Sequence, residues 1–304
     1  MALEVRTGLR KVRCSAVNQH GPVVQGALLR RRLIELRRLA RLTQEEVARD
    51  LEWHTSKLIR IEGGRTGVSR VDLDALGHLY GVSDPAVMEE LRHLNREARS
   101  KAWWSSFKND VSDAYLTYIG FEAGASAIRQ FQPLAIPGLL QTEAYAETLV
   151  DAATDMAILK QLVQLRKLRQ ETLRHRPVPP CELFVLDEAV IRRRVGVRRD
   201  RTIMPTQLRH MVEVAEGNEH ISIRIVPFES GSHVGMVRGA FTLLEFDNGL
   251  GELLHRENGD LHETLVGEDP RIRHVRADFE AILDEALDPT ESLALILETA
   301  ASME

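Results

Sequence analysis

The sequence of 304 residues has only two cysteines, Cys14 and Cys181. They lie far apart, with no His or Cys nearby at metal-ligand spacing, which argues against a disulfide framework and against a zinc site. No apolar run approaches the roughly 18–20 residues that span a bilayer. The N-terminus contains arginines but lacks the apolar segment of a secretion signal. We therefore expect a cytoplasmic protein that uses no membrane, metal or cofactor.

Enzyme motifs are also lacking. There is no nucleophile elbow, no phosphate-binding glycine loop and no metal-ligand spacing. The candidates for acid–base chemistry are Asp187 and Glu188, at the end of a predicted strand, and His233, between two glycines. Adjacent strand residues point to opposite faces, so the two carboxylates are badly placed to cooperate, and Glu188 also suits the start of a helix. We expect no enzyme, and favour a loop in which His233 lines a pocket for a small molecule or a partner.

The net charge of −5 is unevenly distributed along the chain. Residues 1–70 carry 15 Lys and Arg against 7 Asp and Glu, a balance of +8, so the remaining residues carry 25 against 38, or −13. A basic N-terminal region on an acidic body favours a polyanionic partner for that region alone. An arginine-rich helix face exposed to water would produce the same pattern.

Residues 1–23 lack helical periodicity, which indicates a flexible N-terminal arm. Leucines and an alanine then recur at helical spacing over 25–40 (Leu29, Leu33, Leu36 and Ala40), with arginines on the other faces. Thr43 begins the sequence TQEE, a capping box in which Thr43 and Glu46 satisfy each other's backbone amides. The pattern predicts a short helix to about Asp50 and an all-helical domain over 24–82.

A second short helix is predicted over TSKLIRIE, residues 55–62. Leu58 and Ile61 form its inward pair, and its outward residues are Thr55, Ser56, Lys57, Ile59 and Arg60. Small polar residues at a helix N-terminus, with a basic residue one turn later, suit a helix that enters a DNA groove. Two glycines, Gly63 and Gly64, suit the helix end.

The segment LTQEEVARDL…TSKLIRIEGGR resembles the phage-repressor-like, or xenobiotic-response-element, helix-turn-helix family. The resemblance implies that Gln44 meets a phosphate, that Thr55, Ser56 and Arg60 face bases, and that Lys57 contacts the DNA backbone. It places Arg65 in the DNA-binding set and makes Arg37 and Glu62 a structural pair.

Arg60 could bind guanine through two hydrogen bonds, or contact a phosphate instead. Two departures from the family pattern affect the base preference. His54-Thr55 replaces the Ser-Pro that often precedes the recognition helix. Ile59 stands where a small polar residue is common, and an outward isoleucine could touch a thymine methyl group.

Beyond the first domain, Asp84-Pro85 begins a predicted linker helix within 83–110. Residues 111–304 form a C-terminal domain, with short apolar or alternating runs that predict strands at 181–187, 221–228, 240–246 and 251–257. Helices are predicted at 154–174, 203–217, 270–287 and 291–302. The fold class is therefore α+β, a helix-turn-helix domain followed by a larger, mostly helical domain with a small, mainly antiparallel sheet.

Segments of the C-terminal domain, including YIGFEAGASAIRQFQPLAIPGLLQTEAYAETL and IVPFESGSHVGMVRGAFTLLEF, resemble actinobacterial regulators of this helix-turn-helix class. The resemblance implies transcription control on nucleoid DNA and a small companion protein. A short recognition helix covers one half-site, so we expect a homodimer on double-stranded DNA. The C-terminal domain then senses a partner protein or a small ligand. The alternative is an antitoxin-like module that binds the companion protein and uses DNA binding for autoregulation.

The C-terminal domain also contains the arginine run RRRVGVRRDR. A run of like charge is usually an exposed loop, and we favour that interpretation. The alternative is that Arg192, Arg193 and Arg194 dock an acidic partner or ligand, or make an auxiliary DNA contact.

Overall fold

The computed structural model describes residues 21–150, 156–258, 261–267 and 269–304. Its first part consists of five helices: α1 (Pro22–Leu39), α2 (Gln44–Asp50), α3 (Thr55–Glu62), α4 (Arg70–Leu79) and α5 (Pro85–Glu97). Inward apolar residues at helical spacing form one core, including Leu29, Leu33, Val47, Leu58, Ile61, Leu73, Leu76 and Leu91. The predicted capping box at Thr43 and Glu46 is confirmed, and Ser69 caps α4 through the backbone N–H of Asp72.

Two predicted boundaries differ from the structure. Helix α1 begins at Pro22, inside the predicted arm, because proline suits a first helical position and the next residues are buried. The rest of the arm, residues 1–20, lies outside the described residues. Helix α5, predicted as a linker, packs along α1 and α4 and buries Leu91 in the same core. It is therefore a fifth helix of the first domain.

The C-terminal part begins with a short 3-10 helix (Trp103–Phe107) and α6 (Asp113–Glu122). After β1 (Ala127–Gln132) and a 3-10 turn (Gly138–Leu140), the chain forms α7 (Glu143–Val150), α8 (Met156–Arg174), β2 (Cys181–Asp187), α9 (Glu188–Arg192), α10 (Ile203–Glu216) and β3 (Ile221–Val226). A 3-10 turn (Phe228–Ser230), α11 (Gly235–Arg238), β4 (Phe241–Phe246), β5 (Gly251–Asn258), β6 (Leu261–Val266), α12 (Pro270–Asp284) and α13 (Pro289–Ala301) follow.

The six strands form one sheet in the order β3-β2-β1-β4-β5-β6. Strands β1, β2 and β3 are parallel neighbours, whereas the three pairings from β1 to β6 through β4 and β5 are antiparallel. The predicted α+β class with a mainly antiparallel sheet is confirmed. Strands β1 and β6 are additional to the four predicted ones.

Helices cover both faces of the sheet. On one face, α12 buries Ile272, Val275, Phe279 and Ile282 against sheet residues such as Phe131 and Leu243. On the other, α6, α8, α10 and α13 share a larger core with residues such as Ile128, Phe184, Ile223 and Leu253. Successive strand residues alternate between these faces, so the strands are apolar on both sides. The sheet is the middle layer of the C-terminal domain.

Helix α1 belongs to both cores. Its first turns place Val24 and Ala27 in the core of the C-terminal part, and its later turns place Leu29 and Leu33 in the first core. A glycine on α6 allows the close approach, because a Cβ on Gly120 would lie 2.4 Å from Cγ2 of Val23. One helix therefore connects the helical domain to the sheet domain.

Glu182 on β2 is a buried carboxyl group on the face of the sheet that α6, α8, α10 and α13 cover. Burial, together with the nearby Glu122, raises its pKa to about 7. The folded state therefore favours the neutral acid, and this group destabilises the fold as pH rises from about 4.5, its unfolded value, to about 7. Glu182→Gln should remove this dependence and stabilise the protein above pH 7 by about 2–3 kcal/mol, with little effect near pH 4.5.

Urea unfolding across this pH window measures the effect. Glu216→Gln, at an exposed position, is the matched control and should follow the wild type at every pH. Parallel pH profiles for wild type and Glu182→Gln would contradict the assignment.

Candidate nucleic-acid interface

Helices α2 and α3 form a pair held by side chains from both. Val47 and Ala48 of α2 and Leu58 and Ile61 of α3 are each at most 2% exposed. With two turns each, these helices are too short to be stable alone, so their packing against α1 and α4 keeps them folded. The result is a fixed platform for the outward face of α3, the helix predicted to recognise DNA.

A histidine, His54, caps α3. The Nδ1 atom of His54 accepts a hydrogen bond from the backbone N–H of Ser56 at 3.2 Å. It also lies 2.8 Å from Oγ of Ser56. Ser56, which was predicted to face bases, therefore has its hydroxyl beside the capping histidine.

The outward face of α3 is exposed and carries both apolar and basic side chains. Ile59 is 47% exposed, and Arg60 and Arg65 are exposed as well. Within the part of the chain that the structure describes, neither arginine has a side-chain hydrogen bond or ion pair. Thr55, half-buried, lies at the start of the same face. Thr55, Ile59 and Arg60 of α3, and Arg65 in the turn after it, are therefore accessible at the surface.

Lys57, predicted to contact the DNA backbone, has partners within the protein. Its Nζ lies 2.7 Å from Oδ1 of Asp72 on α4 and 3.7 Å above the ring centroid of Trp53. Burial raises the pKa of Asp72, but the hydrogen bonds from Lys57 and Ser69 outweigh it and the pKa is lowered overall. In this state Lys57 fastens α3 to α4. Asp72 lies 15 residues away, and no local pattern indicates the contact.

Glu62, at the end of α3, is bound by two other helices. Its carboxylate accepts hydrogen bonds from Nε and Nη2 of Arg37 at 2.7 and 2.9 Å, in the pairing expected from the sequence. It also accepts one from Nε2 of Gln44 at 2.7 Å. The predicted phosphate ligand Gln44 is therefore directed at Glu62. The carboxylate ties together α1, the start of α2 and the end of α3.

Arg30 is a further arginine of this region that the sequence did not single out. Its guanidinium lies against the turn after α3, where Gly64 has a φ of +73° and a Cβ would be 2.8 Å from Cζ of Arg30. Burial lowers the pKa of Arg30. A glycine is needed here both for the left-handed backbone and for the close approach. Arg30 supports the turn that presents Arg65.

Two family models match the chain. Residues 28–91 match a model described as a helix-turn-helix domain, which includes the platform above and supports a DNA-binding regulator. Residues 115–298, more than half of the chain, match a model described as Domain of unknown function (DUF5753). The chain belongs to this DUF5753 family. No curated protein and no solved structure gave a match.

In the DUF5753 region, His233 is buried. Its side chain is 4% exposed, its Nε2 lies 3.1 Å from Oδ2 of Asp187, and its ring meets the Phe131 ring edge to face. The loop is closed over the sheet, because Gly235 packs directly on Phe131. The predicted role of His233 in lining a pocket does not agree with this position.

Asp187 and Glu188 terminate β2 and begin α9. Asp187 caps the helix by accepting the N–H of Ala189 at 2.8 Å. The buried Glu188 accepts the N–H of Phe228 at 2.7 Å and a hydrogen bond from Nε of Arg192 at 2.8 Å. Both carboxylates therefore hold backbone segments together.

The DUF5753 arginine run lies at the surface. Arg192 pairs with Glu188, and Nη2 of Arg194 donates to the carbonyl of Ser302 at 3.3 Å. Arg193 is exposed. The three side chains do not converge on one point.

Among residues 21–150, 156–258, 261–267 and 269–304, no three His, Cys, Asp or Glu side chains are grouped so as to hold a metal ion. None of the helices there combines the length and apolar character needed to cross a bilayer.

Proposed function

We propose that the chain is a sequence-specific DNA-binding regulator of transcription, of the xenobiotic-response-element type found in actinobacteria. The observation that carries this proposal is the outward face of α3. Arg60 is exposed and without a described partner, on a helix whose inward residues are fully buried. The helix-turn-helix match over 28–91 supports it. An exposed arginine on a rigid recognition helix is suited to a bidentate contact with guanine.

The other predicted contacts divide into two groups. Thr55 and Ile59 are placed to meet base edges beside Arg60, and Arg65 is free to meet a phosphate. Gln44 and Lys57 can reach a phosphate only by leaving Glu62 and Asp72, to which they are bound at 2.7 Å. We therefore assign these two residues to the positioning of α3 in the free protein.

The central prediction concerns Arg60→Ala on duplex DNA from upstream of the protein's own gene. Wild type should bind it specifically, with log K falling as log salt concentration rises. The variant should lose about 1–3 kcal/mol on that site and keep weak nonspecific binding, because one base contact is lost while phosphate contacts remain. Fluorescence anisotropy across a salt series measures both quantities.

Arg273→Ala is the matched control, since Arg273 is an exposed arginine of the C-terminal region. It should bind as wild type does. Equal losses in the two variants would show that Arg60 contributes only general positive charge. If neither wild type nor variant prefers this DNA over random duplex, this sequence is not the operator and binding through a partner gains support.

We also propose a homodimer, because one recognition helix covers only one half-site. Sedimentation of the full chain should give twice the 34.3 kDa of one chain. A single species of one-chain mass, unchanged by DNA, would contradict this proposal.

Regulation requires that a signal favour one arrangement of the recognition helices. Helix α1 offers the connection, because its first turns are buried against α6 and its later residue Arg37 holds Glu62 of α3. We propose that a companion protein or a small ligand bound to the DUF5753 region acts through α1.

An antitoxin-like module that binds a companion protein is the second candidate. Exposed apolar side chains favour it: Phe228, Met236 and Val237 are 57%, 65% and 87% exposed. Co-expression with the product of a neighbouring small open reading frame tests this candidate. A stable complex that Val237→Ser abolishes, and Leu297→Ser leaves intact, would support it; Leu297 is an exposed leucine of α13.

We propose no catalytic function. Each candidate side chain has a structural partner within 3.1 Å. Asp187 accepts the N–H of Ala189, Glu188 accepts the N–H of Phe228, and His233 contacts Asp187. Turnover that is lost on replacing any of them would contradict this proposal.

A further inference from the structure

A cavity of about 650 Å³ lies in the DUF5753 region, on the face of the sheet that α6 and α8 cover. Its walls come from α6, α8, the segment after β1, and strands β1, β4 and β5. Pockets that hold small organic molecules have volumes of roughly 300–1,000 Å³. The cavity therefore has the size of a ligand site, and it contains none of the residues that the sequence singled out.

One wall of the cavity is aromatic. The rings of Tyr115 and Tyr118 are stacked with centroids 6.3 Å apart, and the ring of His255 continues the stack 4.0 Å from Tyr118. Ile136 adds apolar surface. Stacked rings beside apolar surface favour a flat apolar or aromatic body.

The cavity also contains an arginine with no matching acid. Arg166 and Arg169 lie one turn apart on the same face of α8. The Arg169 guanidinium is satisfied within the protein, because it donates to both carboxylate oxygens of Glu122 and to the hydroxyls of Tyr115 and Tyr118. Arg166 has no hydrogen bond or ion pair to any described residue, and its Nη1 is buried. Glu257, the other charged residue of the lining, is exposed and forms no described bond with Arg166.

A buried acceptor in the lining is likewise unsatisfied. Gln141 is 7% exposed, and its Nε2 donates to the carbonyl of Ile136 at 2.6 Å, which fixes the orientation of the amide. Its Oε1 has no described hydrogen-bond partner. A buried polar atom without a partner costs free energy. A ligand donor such as a hydroxyl or ring N–H group would satisfy it.

We infer that this cavity binds a small organic acid with a flat apolar body. The carboxylate pairs with Arg166, the body lies along the Tyr115 ring, and a hydroxyl or N–H group of the ligand donates to Gln141. This inference names the ligand class of the sensing role proposed above and rests on that role for its regulatory consequence. Binding itself is independent of DNA, so the two can fail separately.

Titration of the full chain, without DNA, against aromatic acids and their uncharged amides tests the inference. Indole-3-acetate and 4-hydroxyphenylacetate each combine a carboxylate, a ring and a donor group. Calorimetry should show at least one acid binding with a Kd of about 1 mM or tighter. The matched amide should bind about tenfold or more weakly, because the charge-assisted pair with Arg166 is lost.

Arg166→Met should weaken the acid by about tenfold or more and remove the preference over the amide. Its melting should remain cooperative, because Arg166 has no described bond to lose. Lys167→Met, the matched control, removes one positive charge at the next, exposed position of α8 and should bind as wild type does. Absence of acid binding by wild type, equal binding of acid and amide, or unchanged binding by Arg166→Met would each overturn the inference.

Discussion

Replacing Glu122 by alanine should lower the free energy of unfolding by about 3–5 kcal/mol, because it leaves a buried guanidinium without its counter-ion. The side chains of Glu122 and Arg169 are 1% and 7% exposed. Glu122 also accepts the hydroxyl of Tyr118 at 2.8 Å, and Arg169 donates to the hydroxyl of Tyr115 at 3.0 Å. After the substitution, Arg169 keeps only the hydroxyls of Tyr115 and Tyr118 as partners, and an uncharged hydroxyl cannot replace a carboxylate. Urea unfolding of the full chain measures the loss.

A double-mutant cycle separates the loss of the pair from the loss of packing. Removing both charges with apolar residues of similar size avoids the uncompensated charge. The variant Glu122→Leu with Arg169→Met should therefore be less destabilised than the sum of its single changes. A loss below about 1 kcal/mol for Glu122→Ala would show that Arg169 is solvated, in conflict with its burial.

The second large effect concerns Glu62→Ala, which should cost about 2–4 kcal/mol and weaken specific DNA binding as well. The side chains of Glu62 and Arg37 are 6% and 13% exposed. Without the carboxylate, three donors on Arg37 and Gln44 lose their acceptor, and α3 loses its hydrogen-bonded link to α1 while the apolar packing remains. The stability loss appears in urea unfolding, and the binding loss appears in anisotropy with the duplex used for Arg60→Ala.

Glu45→Ala is the matched control, because Glu45 is an exposed glutamate of α2. It should change stability by less than about 0.5 kcal/mol. If Glu62→Ala unfolds the protein, Glu62→Gln keeps the shape and one acceptor and should be intermediate in both measurements. DNA binding unaffected by a folded Glu62→Ala would separate the Arg37–Glu62 pair from the presentation of the recognition helix.

Local signals in the sequence predict much of the helical domain. The capping box at Thr43 marks a helix start through a neighbour only three residues away, and the structure has it there. The start of α1 was missed because Gly21 makes no side-chain cap bond and the first turn is buried by α6, about 100 residues later. The first turn of α1 is therefore helical because of tertiary packing.

Strand β1 was missed because its sequence, AIRQFQ, has no apolar run. Arg129 is paired with Glu245 of β4, and Gln130 faces the cavity. Polar residues remain in this central strand because the pair and the cavity accommodate them. The cavity itself could not be predicted, since Tyr115, Gln141, Arg166 and His255 come from four separate segments.

Selection of bound sequences from a random duplex library, with the full chain, tests the central claim most directly. Wild type should enrich a two-fold symmetric site with half-sites about 10 base pairs apart, or a multiple of that spacing. Arg60→Ala should lose the preference at one base pair in each half-site, and Arg273→Ala should not. No enriched sequence, or an identical site with Arg60→Ala, would contradict the assignment of α3 as a base-recognising helix.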